Sequence, residues 1–183
     1  MEDIPSLSIS LDRETLETWR TQEWLPAVVR EQITRADVLL VPDPDFRGLG
    51  PAFAPDTGSI YSFLKKTDPN LPVVIASDPY DYREYVLHSV LLDIGIFIVS
   101  SIAAPVLVNL VSEYLKGARS SGSDPEVRFN LKVDQADGSS IHISYAGPAS
   151  SFDEHVMPAL KSRPGMPVER NQLPLGSKID IRM

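Results

Sequence analysis

The sequence predicts an α/β protein: a mixed sheet with a βαβ-type N-terminal half, one long apolar central helix, and a C-terminal antiparallel hairpin followed by a helix. Three stretches predict it. "DVLLVPD" at 37–43 and "LPVVIAS" at 71–77 are short apolar, β-branched runs with a helical pattern between them, the signature of a βαβ unit and a parallel strand pair. "HSVLLDIGIFIVSSIAAPVLVNLVSEYLKG" at 88–117 contains an uncharged run over 94–112, which predicts a helix. "VRFNLKVDQADGSSIHISY" at 127–145 alternates with a period of two on both sides of Asp137-Gly138, a hairpin turn pair.

The elements follow in order. "SLSISL" at 6–11 alternates and predicts a first strand; "DRETLETW" then supplies Asp12 as a cap, early acids and helical spacing. Pro26 restarts or kinks that helix, which continues through "PAVVREQITRA" to the strand at 37–43. A Gly/Pro-rich loop leads to a short helix over about 59–66, the strand at 71–77 and the long apolar segment. After a polar connector at 117–124, the hairpin is expected to turn Val127, Phe129, Leu131, Val133, Ile141, Ile143 and Tyr145 inward. Arg128, Asn130, Lys132, His142 and Ser144 then face out. "PASSFDEHVMPAL" predicts a helix with Phe152, Val156 and Leu160 inward, and "SKIDIRM" at 177–183 a last strand. The expected organisation is one α/β domain over 1–183, with a sub-boundary at 117–124 and an irregular loop at 161–176.

Composition excludes several classes. Seventeen Lys plus Arg against 25 Asp plus Glu leave a net charge of -8, which opposes binding to nucleic acid or to anionic lipid. There is no cysteine, hence no disulfide, thiolate nucleophile or Cys-ligated zinc, in keeping with a cytoplasmic location. "MEDIPSLSIS" lacks the basic and apolar regions of a signal peptide.

The segment 94–112 approaches the roughly 20 residues that a membrane-spanning helix needs, so a span at about 90–112 is the rival to a buried helix. Placed on a helix at about 100° per residue, Ser101, Pro105, Asn109, Ser112, Glu113 and Lys116 share one side, which favours the soluble form. A span would also send the polar residues before it outward if Lys116 and Arg119 stayed in the cytoplasm. An over-apolar helix needs cover on every side, so a homo-oligomer is expected, with Ile94, Phe97, Ile98 and Ile102 at its interface.

Reactive constellations are few. Asp43 and Asp45 follow a strand, where open α/β sheets place their ligand crevice, and with Asp56 or Asp78 they could hold Mg²⁺ for phosphoryl transfer or hydrolysis. The spacing Asp43-Pro44-Asp45 resembles the first motif of haloacid dehalogenase-like phosphatases, with Ser77 in place for a second, but Phe46-Arg47 stands where small residues are expected. The alternative is a rigid Pro-Asp turn. "PDTGS" at 55–59 resembles the aspartic protease signature in a single copy; a helix cap at Asp56-Thr57 accounts for the same letters. His88, His142 and His155 lie far apart without zinc-binding spacing, and Trp19 and Trp24 read as core anchors.

Residues 85–160, through "LHSVLLDIGIFIVSSIAAPVLVNLVSEYLKG", the hairpin and "FDEHVMPAL", resemble a group of small uncharacterised bacterial proteins and, more distantly, effector-associated accessory domains of bacterial conflict systems. The resemblance implies an accessory role in antiviral defence through a protein partner. The expected function is therefore non-catalytic protein binding without a cofactor; a Mg²⁺ enzyme using Asp43 and Asp45 and a membrane-associated protein are the alternatives.

Overall fold

The computed structural model describes residues 4–86, 91–119 and 122–162. Its elements are β1 (Ser6–Asp12), α1 (Leu16–Arg20), α2 (Ala27–Thr34), β2 (Val38–Val41), α3 (Thr57–Thr67), β3 (Val73–Ile75), β4 (Leu92–Val99), α4 (Ala104–Arg119), β5 (Glu126–Asp134), β6 (Ser140–Pro148) and α5 (Phe152–Lys161). Among the described residues the strands form one mixed sheet in the order β1-β6-β5-β4-β2-β3. β2 and β3 are parallel, as the βαβ pattern predicts, and so are β4 and β5 across α4; the other pairs are antiparallel.

The long central helix is corrected. Residues 92–99 form β4 in the middle of the sheet, and only Ala104–Arg119 is helical. The reason is burial on both faces. Ile94, Phe97 and Val99 enter the core beneath α3, α4 and α5, while Ile96 and Ile98 pack with Trp19, Leu25, Val29 and Ile33 from α1, α2 and the turn between them. A strand covered on both faces has no polar alternation to display. Ser100 makes the corner: its hydroxyl donates to Asp37 Oδ1 at 3.2 Å and accepts the Ala103 N–H at 3.3 Å. Pro105 then falls in the first turn of α4, where no N–H is required. Among the described residues no helix is long and apolar enough to cross a membrane.

The expected interface changes with it. Ile94, Phe97 and Ile98 are covered by the chain's own helices, so they offer no surface to a second subunit, whereas Ile102 is 85% exposed. The hairpin β5–β6 keeps the predicted faces, with Phe129 between Phe97 and Phe152 at ring-centroid distances of 5.5 and 5.1 Å. Its outer face is only partly open. Lys132, half-buried, bonds Asp12 at 3.0 Å and also Glu14, whose Oε1 accepts the Trp19 indole N–H at 2.7 Å. This network fixes the corner between β1 and α1. Asp12 itself bonds the N–H groups of Arg13 and Glu14, and the cap of α1 is Thr15, in a capping box with Thr18. Trp24 edges onto Trp19 at 5.8 Å but stays half exposed. The expected strand at 177–183, His88 and all but the first two residues of the loop expected at 161–176 lie outside the described residues.

Candidate functional site

Polar side chains gather where β4 bulges. Asp93 pairs with Arg128 and Ile96 with Asn130, so Ile94 and Gly95 face the single residue Phe129, and Gly95 takes φ +97° to make room. A Cβ there would stand 3.0 Å from Thr57 Oγ1. The bulge turns Asp93 into the protein, where it is buried. Its carboxylate accepts the Tyr85 hydroxyl at 2.7 Å and the Gly95 N–H at 3.3 Å, and lies 3.6 Å from the Arg128 guanidinium. Burial, the hydrogen bond to Asp93 and its charge push the Tyr85 phenol up, so it stays protonated and donates. Tyr85 also stacks on Phe46 at 4.0 Å, and Tyr82 lies 4.9 Å from Phe53. These pairs hold the loop before β4 against the loop after β2.

The predicted carboxylates separate. Asp43 faces a cavity of about 130 Å³ lined also by Tyr85, Asp93, Arg128 and Asn130. It exchanges backbone hydrogen bonds with Ala52, and its Oδ1 accepts the Asp45 N–H at 3.2 Å, which makes a rigid turn. Asp45 is exposed. Asp78 accepts the Tyr80 N–H at 3.0 Å and lines a crevice of about 270 Å³ with Trp24, Pro42, Ser77, Asp81 and Arg83, at the carboxyl ends of β2 and β3. Asp56 occupies the cap position of α3 without a capping bond from its side chain; Glu84 instead accepts the Gly58 N–H at 2.8 Å from a neighbouring loop. Burial, then the charges of Asp93 and Glu84, push the Asp56 carboxyl up against a backbone hydrogen bond from Asp93. Among the described residues no group of three or more His, Asp or Glu could hold a metal ion.

A broad hollow lies along β3, which ends the sheet among the described residues. A groove of about 780 Å³ runs over Val73–Ile75 between α2 and α3. Val74 and Ile75 are half-buried on its floor, Tyr61 and Tyr82 stand along it, and Arg35 and Lys65 lie on opposite walls with Glu31 as a counter-charge. Arg35 reaches Glu31 only at 3.4 Å with both side chains solvated, so its charge remains available. On a chain of net charge -8 this groove is a local cationic exception.

The chain matches no family model, and no curated protein or solved structure to a significant degree. The sequence reading placed Asp43 and Asp78 near hollows but missed Tyr85, Asp93, Arg128, Arg35 and Lys65. The bulge did carry a signal: Gly95, two residues after Asp93, is a glycine inside an apolar strand-like run, which marks a bulge. Arg35 and Lys65 carried none, because only the folded sheet edge brings α2 and α3 to the two sides of one groove.

Proposed function

We propose that this chain is a bacterial accessory protein that works by binding, holding an extended segment of a partner protein along β3. The observation that supports this reading is the groove itself: an edge strand at its floor, a helix on either side, aromatic rings within it and cationic side chains on both walls. An added strand gains affinity from main-chain hydrogen bonds and selectivity from alternate side chains. Here the alternate positions would meet Val74 and Tyr61, and acidic residues on the segment would meet Arg35 and Lys65. The resemblance of residues 85–160 to accessory domains of conflict systems is what suggests antiviral defence as the setting. A cytoplasmic location accords with it.

The experiment is a random-peptide library displayed on phage and panned against the purified chain. The proposal expects enrichment of extended sequences that alternate apolar residues and include Asp or Glu, with binding weakened at least about tenfold by Arg35→Glu together with Lys65→Glu, a loss of about 1.4 kcal/mol or more. Both side chains are exposed, so the double variant should fold. Absence of enrichment, or binding indifferent to both reversals, removes the groove as the site.

A further inference from the structure

The opposite edge of the sheet differs in kind. Edge strands normally carry a charge, a proline or a bulge that keeps other chains from pairing with them. Between Ser6 and Leu11, β1 has none of these: it reads Ser-Leu-Ser-Ile-Ser-Leu, and pairs with β6 through Asp12 without a shift in register. Leu7, Ile9 and Leu11 stand opposite Tyr145, Ile143 and Ile141, on the face that α4 and α5 cover. The helices shelter Leu7, but Ile9 is 50% and Leu11 83% exposed. Among the described residues nothing pairs with the outer side of β1.

We infer that a second copy of this chain pairs antiparallel with β1, centred on Ile9, so that the two sheets become one. Self-complementarity selects this occupant. The Ile9-centred register is the one that engages every residue of β1: Ile9 meets Ile9 of the second copy, Leu7 meets Leu11, Ser8 meets Ser10, and Ser6 meets Asp12. Directly opposed residues share a face, so the exposed Ile9 of each copy is covered by that of the other, and the exposed Leu11 by the other copy's Leu7. The charges comply as well. Two chains of net charge -8 repel, yet this register opposes no like charges and sets the two Asp12 residues at opposite ends. The dyad also makes the contact isologous, so it closes at two copies. A strand pair of this length is small beside the about 1,200–2,000 Å² of stable interfaces, so the dimer should form as concentration rises. This dimer is independent of the β3 groove, which lies at the far edge.

The test uses the full chain in light scattering over a range of concentrations, with Ile9→Lys as the variant, and circular dichroism to confirm that it folds. The chain has no cysteine, so Ile9→Cys and Leu11→Cys each introduce a unique thiol. Ile9 faces its own copy, while the two Leu11 positions lie about 14 Å apart along the strands at about 3.4 Å per residue. A concentration-dependent dimer that Ile9→Lys abolishes, with disulfide cross-linking through Ile9→Cys well ahead of Leu11→Cys, supports the inference. A monomer at every concentration overturns it and leaves the edge to residues 163–183 or to another protein. A dimer that survives Ile9→Lys, or equal cross-linking from both positions, overturns it too. Peptide binding at β3 should be unchanged in the Ile9 variants, which separates this result from that of the groove.

Discussion

The hydroxyl of Tyr85 donates to Oδ2 of Asp93 at 2.7 Å, and through that bond the loop before β4 is fastened to the bulge within it. The contact joins a residue from an irregular segment to a buried carboxylate in the centre of the sheet. It is short, charge-assisted and shielded, which makes it one of the stronger polar contacts of the fold.

Tyr85→Phe keeps the stacking on Phe46 but removes the donor. Asp93 is left with the Gly95 N–H and the half-exposed Arg128, so stability should fall by about 1–3 kcal/mol. Urea unfolding should show a lower midpoint with an unchanged slope.

Gly95→Ala tests the bulge. At φ +97° a side chain is strained, and the new Cβ would crowd Thr57 Oγ1, a buried hydroxyl without a hydrogen-bond partner among the described residues. A loss of about 1–3 kcal/mol in the same unfolding experiment is expected.

Ile98 and Ile102 distinguish the observed arrangement from one continuous helix. Ile98→Ala opens a cavity between β4 and α2 and should destabilise by about 2–5 kcal/mol. Ile102→Ala, at a solvated corner, should change the unfolding free energy by no more than about 0.5 kcal/mol.

Asp134 gives a pH signature. It accepts the Leu16 N–H at 3.2 Å, yet burial outweighs that bond and pushes its carboxyl up to about 6. Unfolded, it loses its proton near pH 4. Between those values the folded chain holds more protons, so the stability that Asp134 contributes is full below about pH 4 and is lost as pH rises through about 6. Asp134→Asn removes this dependence. Comparing melting curves of parent and variant, the difference should move in the variant's favour from pH 4 to 6 and stay level outside that window.

The hairpin β5–β6 and helix α5 were legible because each buries one face and wets the other, so the period of the pattern names the element. The parallel pair β2/β3 was legible from two apolar runs around a helix. β4 was not. Ile94, Ile96, Phe97, Ile98 and Val99 are apolar because helices cover both sides, and an uninterrupted apolar run has the same appearance in a buried strand and in a helix. The β-branched residues and Gly95 were the local hints. The polar site was hidden for a related reason: Asp43 and Asp45, close in sequence, are joined by a local turn in which Asp43 accepts the Asp45 N–H, while Asp93, Tyr85 and Arg128 meet from three segments.

The sequence by itself determined the α/β class, the hairpin and its faces, the parallel pair, and a net charge of -8. Only the tertiary structure decided that the apolar centre divides into strand and helix, that Asp93 is a buried acid, and that the two sheet edges differ, one flanked by a cationic groove and the other uncharged from Ser6 to Leu11 and unpaired among the described residues. Periodicity reports which side of an element meets solvent. What covers its other side, and which distant residue stands opposite, is set by packing between segments that no local pattern records.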